Sequence, residues 1–280
     1  MTRVEFELPV AGTLVKGKAY VPKQVKALVV IVHGMGEHAS RYERTVIPAL
    51  LEHQLCVYAY DQLGHGLTQG KRGHHPGYEH LLDCLEQVIS LARDRWPGKA
   101  LILYGHSMGG NVVLRYGLSR KALPEACVVT SPFLRLAFAP PPWKLSLGRL
   151  LLHVMPSVTM PSGLDTESLS RDATEVQAYE QDELVHDRVS PAYSLLVMDS
   201  GEWVLKNAGN WRLPLLLCHG TGDKITDPGA SKEFATKAGS RVELFLLEGG
   251  YHELHHDLDR AKLLDHITHW IDHQIMVNKQ

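Results

Sequence analysis

The pentapeptide Gly105-His106-Ser107-Met108-Gly109 sets a serine between two glycines, where an apolar run at 100–104 gives way to a helix-like stretch starting near Gly110. A strand-to-helix turn of this kind is so tight that flanking side chains would collide. It also lifts the serine Oγ clear of the sheet, while the helix N-terminus behind it offers N–H groups and positive dipole to a developing oxyanion. That is the placement of a nucleophile for acyl transfer. A serine hydroxyl alone attacks poorly at neutral pH, so the chemistry also requires a histidine base and a carboxylate to orient it.

Both partners should follow Ser107 in the order acid then histidine, each just past a strand end. Asp223 follows the apolar run 213–217 and fits the acid. Its rival Asp227 precedes Pro228, and Asp followed by Pro is a helix-start signature with its own explanation. His252 follows the run 242–247 and fits the base, with His255 and His256 as rivals among 17 histidines. The glycine-rich stretch 33–38 follows the run 27–32, where a second oxyanion donor should arise, so the backbone N–H groups of Met35 and Met108 are the expected pair. An ordinary glycine-rich turn is the competing reading.

These residues need a scaffold that brings strand ends together. Segments 4–8 and 13–21 read as a leading antiparallel hairpin. Short apolar runs follow at 27–32, 56–60, 100–104, 126–129, 213–217 and 242–247, each the length of a strand buried on both faces. Helical spacing lies between them, as at 78–96, where Leu81, Leu82, Leu85, Val88, Ile89 and Leu91 recur before Pro97-Gly98. Strand and helix in alternation imply a mainly parallel sheet covered on both faces. The alternation fails between about 133 and 206, which reads as an insertion of helix-like pieces without a clear strand. The expected division is therefore a core of 1–132 and 207–280 around an inserted segment 133–206. Within that segment, 143–155 carries Trp143, Leu147, Leu150, Leu151 and Val154 on one broad face, and Asp172 with Glu175 fits a capping box.

The chain has 280 residues, 44% hydrophobic and 21% charged, the composition of a globular protein rather than a disordered or disulfide-built one. Its formal net charge of −2 provides no general field for nucleic acid, which is not an expected partner. Four widely spaced cysteines in apolar runs read as reduced and mostly buried. The opening residues lack a signal-like apolar stretch and no run approaches bilayer length, so the expected compartment is cytoplasmic, with peripheral membrane contact left open.

Five segments together carry a specific resemblance: H-G-x-G-E-H-x-x-R-Y at 33–42, D-x-x-G-H-G at 61–66, the serine pentapeptide, Thr221-Gly222-Asp223, and Tyr251-His-Glu-Leu-His255. The chain resembles the monoacylglycerol lipase branch of the α/β-hydrolase superfamily, which also includes lysophospholipases, and the likeness continues through 169–176 and 179–184. The resemblance implies a mostly parallel sheet with helices on both faces, an inserted helical cap over an acyl tunnel, and a polar glycerol pocket. Positions Glu37, Arg41 and His255 match that pocket, and Tyr179 matches a cap tyrosine that joins it. Buried glycerol hydroxyls need such hydrogen-bond partners. For Glu37 and Arg41 a structural ion pair is the alternative, and Asp61 and His65 read as turn-stabilising. Met35 stands where many members carry a smaller residue, so its side chain would narrow the pocket.

The expected reaction is hydrolysis of monoacylglycerols through an acyl-enzyme on Ser107, without metal or cofactor. Lysophospholipase or general carboxylesterase activity is the alternative, followed by peptidase activity and a non-catalytic binding role. His252-Glu253-Leu254-His255-His256 also satisfies H-E-x-x-H, but that zinc motif needs mid-helix placement, and Gly249-Gly250 lies just upstream. The expected partner is a small lipid ester, with transient membrane contact through the apolar face of 143–155.

Overall fold

The computed structural model describes residues 1–277. Strands β1 (Thr2–Val10) and β2 (Thr13–Val21) pair as the expected antiparallel hairpin. The chain then runs through β3 (Ala27–Val32), α1 (Val46–Glu52), β4 (Leu55–Tyr60), α2 (Tyr78–Arg95), β5 (Leu101–His106), α3 (Met108–Ser119) and β6 (Ala126–Thr130). After β6 come α4 (Pro142–Val154), β7 (Met160–Pro161), α5 (Ala173–Glu180), β8 (Arg188–Val189) and α6 (Pro191–Asn207). The chain returns to the sheet with β9 (Leu215–Gly220), α7 (Pro228–Ala238) and β10 (Val242–Leu247), and α8 (Arg260–Val277) follows.

The main sheet has eight strands in the order β1-β2-β4-β3-β5-β6-β9-β10. The pairs β1/β2 and β2/β4 are antiparallel and all others parallel. Alternate side chains of β3 enter two separate cores, Leu28, Val30 and Val32 on one face and Val29 and Ile31 on the other. The first core takes Leu81, Leu85 and Val88 of α2 and Val112 of α3; the second takes Ile47 and Leu50 of α1 and Ile267 and Ile271 of α8. Because β3 to β6 and β9 are buried on both sides, they read as continuous apolar runs. All four cysteines are free and buried.

Three local expectations are corrected. Strand β9 starts after Pro214, whose missing N–H cannot join a ladder, and it continues through Cys218, His219 and Gly220, residues that read as loop. The segment after β6 is not strand-free, because β7 and β8 form a two-residue antiparallel ladder too short to show periodicity. Asp172 does cap α5, accepting from the Thr174 N–H at 3.1 Å, but Glu175 does not close the box: its carboxylate turns to Arg44, 3.1 Å away. The apolar face of α4 is exposed, with Trp143, Leu147, Leu150 and Val154 all on the surface. No helix among the described residues is long and apolar enough to cross a membrane.

Candidate active site

The parallel strands β3, β5, β6, β9 and β10 end on one edge of the sheet, and the chemistry-bearing residues sit in the loops that leave it. Ser107 lies between β5 and α3 with φ 53° and ψ −117°, a left-handed conformation that costs energy for any residue with a Cβ. The surroundings hold it there. Its N–H donates to Thr130 O at 3.0 Å, and its carbonyl accepts from the Asn111 and Phe133 N–H groups at 3.0 and 2.9 Å. The flanking glycines are steric necessities, since a Cβ on Gly109 would lie 1.9 Å from Val32 O and one on Gly105 would lie 2.6 Å from Gly109 O.

His252 Nε2 lies 2.9 Å from Ser107 Oγ, and its Nδ1 lies 2.7 Å from Asp223 Oδ2. With Asp223 ionised, Nδ1 carries the proton and Nε2 is left to accept from the serine hydroxyl. Asp223 is surrounded by donors. The Ile225 and Thr226 N–H groups reach Oδ1 at 2.8 and 3.0 Å, while Thr226 Oγ1 and His219 Nε2 approach Oδ2 at 2.9 and 3.1 Å. Burial opposes its ionisation, yet His252 and His219 hold its pKa well below the usual carboxylate range. For His252, burial is the largest single influence and disfavours the imidazolium; the facing Asp223 carboxylate, aided by Glu253 and Glu37, outweighs it and raises the pKa. Ser131 Oγ donates to His252 O at 2.8 Å and fixes the histidine's backbone. The rival Asp227 caps α7 through the Gly229 N–H, 2.7 Å away.

Met108 opens α3, so its N–H lies in the first turn, which has no intrahelical acceptor. Among the described residues, neither this N–H nor that of Met35 donates to a protein acceptor. The Met35 turn is shaped by Glu37, whose Oε1 accepts the Gly34 N–H at 2.6 Å.

The four head-group candidates separate. A cavity of about 350 Å³ opens over Ser107 and His252 and is lined by Met35, Phe133, Leu136, Phe138, Leu164, Leu169 and Ile225 together with Glu37, Tyr179 and Glu253. Arg41 and His255 do not line it. Arg41 lies behind the wall, where Nη1 donates to Glu37 Oε2 at 2.9 Å and its two Nη groups clasp both oxygens of Glu253 at 2.5 and 2.7 Å. The Tyr179 ring faces this guanidinium at 4.6 Å. His255 is fully buried, stacked on Tyr42 at 4.9 Å and edge-on to His106 at 4.7 Å, and neither ring nitrogen has a hydrogen-bond partner. Burial lowers its pKa, and neighbouring His256 and His106 lower it further. Burial opposes ionisation of Glu37, but Arg41, with help from His106 and His33, brings its pKa down to about 2. The ion pair that the alternative reading expected between Glu37 and Arg41 is present.

The residues missed by sequence reasoning are Glu253, His219 and Thr226. Glu253 belonged to H-E-x-x-H, but the stretch is a loop leading into the 3-10 turn Leu254–His256, so His252 and His256 share no α-helical face. Among the described residues no group of three or more His, Cys, Asp or Glu side chains is arranged to hold a metal. The segment after β6 is tied to this loop: Glu253 N–H donates to Leu169 O at 2.8 Å, and Arg171 Nε meets Asp257 Oδ2 at 2.8 Å.

Residues 23–259 match the family model described as serine aminopeptidase, S33. The chain belongs to this family of α/β-hydrolases. Among its relatives, an abhydrolase domain-containing protein of Dictyostelium discoideum is 38% identical over 252 residues, which is 89% of this chain but 26% of that protein. A monoacylglycerol lipase of Mycolicibacterium smegmatis is 30% identical over 248 residues, 88% of each protein. The crystal structure of the Paleococcus ferrophilus monoacylglycerol lipase superposes with a TM-score of 0.86 at 31% identity, covering 93% of this chain and 99% of that one. Membership of the α/β-hydrolases agrees with the mostly parallel eight-stranded sheet and its helices on both faces.

Proposed function

We propose that this chain is a serine esterase that hydrolyses monoacylglycerols to fatty acid and glycerol. The observation that carries the reading is the hydrogen-bonded line from Asp223 through His252 to Ser107, opening on a cavity with both apolar and polar walls. Ser107 Oγ attacks the ester carbonyl as His252 Nε2 takes its proton, and Asp223 stabilises the imidazolium. The Met35 and Met108 N–H groups donate to the oxyanion. The alcohol leaves with a proton from His252, and water then attacks the acyl-enzyme by the same route. The relatives named as monoacylglycerol lipases support this choice of substrate. In this reading Glu37 and Tyr179 meet the glycerol, while Arg41 and His255 support them from behind.

The base must be neutral to act, and its pKa lies above the ordinary histidine value. The acid limb of kcat/KM is therefore expected to have its midpoint above about 6.5, with activity lost as pH falls through it. A profile still flat at about pH 5 would contradict the role of His252.

Segment 133–206 serves in this reading as a cap, and the exposed face of α4 as its contact with lipid. Leu150→Asp with Val154→Asp is expected to abolish co-sedimentation with phosphatidylcholine vesicles. Unchanged binding would remove the contact from the account.

Serine aminopeptidase activity is the second reading, favoured by the family description. It would seat a substrate ammonium in a cavity walled largely by Met35, Phe133, Leu136, Leu164, Leu169 and Ile225, which suit an acyl chain better. The deciding experiment is a panel of monoacyl-, diacyl- and triacylglycerols, lysophospholipids, p-nitrophenyl esters and aminoacyl anilides. Monoacylglycerols should give the highest kcat/KM; a preference for anilides or lysophospholipids would replace the proposed substrate.

A further inference from the structure

We propose that the catalytic cavity selects by charge, taking esters of uncharged alcohols and turning away anions, because two buried carboxylates on its wall, Glu37 and Glu253, share a single cation, Arg41. The inference rests on the esterase reading above and narrows its substrate class.

Both carboxylates line the cavity and are almost fully buried, and Arg41 bonds to each of them. Among the described residues, the groups packed around them supply no second cation free to offset them, since His256, beside Glu253, faces a carboxylate of its own, Glu175, at 3.4 Å. His33 accepts the Gln62 N–H on Nε2 at 2.9 Å and faces Gly34 O through Nδ1 at 2.7 Å, the pattern of a neutral imidazole. His255 lies among aromatic rings with no acceptor for either nitrogen, and burial, together with nearby His252, pushes the His106 pKa down to about 4. Tyr42 reaches Glu37 as a neutral hydroxyl donor at 2.9 Å. At the rim, Lys224 and Asp165 are both exposed and opposite in sign, so they offset each other and water screens them.

What remains is one uncompensated negative charge set into the wall. It lies beside the nucleophile, for a Cβ at Gly34 would be 2.9 Å from Glu37 Oε1 and 3.2 Å from Ser107 Cβ. Ionised Asp223 adds a second negative charge whenever His252 is neutral. An uncharged glycerol can donate its hydroxyls to this wall, whereas a phosphate would face like charge in a low-dielectric setting. The same field bears on the products. Glycerol leaves uncharged, and the fatty acid becomes a carboxylate against the wall, which favours its release.

The test compares monooctanoylglycerol with octanoylglycerol phosphate as substrates, and octanoate with octanol as inhibitors, all below their aggregation thresholds. The native protein should favour the uncharged ester by about a hundredfold in kcat/KM, and octanol should inhibit at least about tenfold more tightly than octanoate. Glu37→Gln, which removes one charge at constant shape, should narrow both ratios about tenfold. Hydrolysis of the phosphate ester within about threefold of the uncharged one, or equal inhibition by octanoate and octanol, would overturn the proposal. If Glu37→Gln does not fold, the native ratios alone decide. If p-nitrophenyl octanoate is hydrolysed but monooctanoylglycerol is not, the glycerol-ester reading fails, and the inhibitor pair still decides the claim about charge.

Discussion

Ser107→Ala is expected to reduce ester hydrolysis by about a thousandfold to a million-fold while leaving thermal stability nearly unchanged. The loss is large because the hydroxyl is the attacking group and, among the described residues, no other oxygen lies on His252 Nε2. Stability is spared because among the described residues Oγ bonds only to that histidine, and alanine at φ 53° carries the same backbone cost as serine. The residues act as a unit, so His252→Ala should lose a comparable amount, and the double variant little more than either single one. Stopped-flow or steady-state assays of the three variants, with circular dichroism as the control for folding, provide the check. More than about one per cent residual turnover in Ser107→Ala would reject the serine as nucleophile.

Arg41→Leu is expected to be the most damaging substitution outside the catalytic line, costing about 3–5 kcal/mol in urea unfolding. The guanidinium joins Glu37, which shapes the Met35 turn through Gly34, to Glu253, which adjoins His252. Removing it strands two almost fully buried carboxylates without their cation, and loosens the oxyanion turn and the histidine loop together. Arg41→Lys keeps a charge but loses the fork that clasps Glu253, and should fall between the two. In the native protein the Glu37 pKa is depressed to about 2. The stability Glu37 contributes is therefore present above the ordinary carboxylate pKa and lost as pH falls towards 2. Without Arg41 the carboxylates gain from protonation, so the deficit should shrink on acidification. A deficit below about 1 kcal/mol at neutral pH would contradict the bridging role.

The strand ends and their order were legible because parallel strands buried on both faces leave uninterrupted apolar runs, and a serine between glycines at such an end has few other uses. Chain order then singled out Asp223 and His252, and the structure sets His252 within hydrogen-bond distance of both Asp223 and Ser107. Asp227 was separable in advance for a local reason, since capping with proline at the next position is written in adjacent residues.

What escaped the sequence is side-chain pairing over long separations. Glu253 meets Arg41 across 212 positions, and nothing local to either residue names the other. His219 and Thr226 donate to Asp223 from a strand end and a loop whose residues read as ordinary turn chemistry. Arg41 and His255 entered as pocket residues through resemblance, and the structure places them one layer behind the cavity wall. Glu175 kept the spacing of a capping box yet turned to Arg44, because an ion pair competes with a backbone donor in a way spacing does not express.

The most direct measurement is rapid quenching of the native protein with monooctanoylglycerol at low pH, followed by peptide mass mapping. The account predicts an octanoyl group on the peptide containing Ser107, appearing within one turnover and absent from Ser107→Ala. An octanoyl adduct on a different residue, or turnover with no adduct at any quench time, would contradict it.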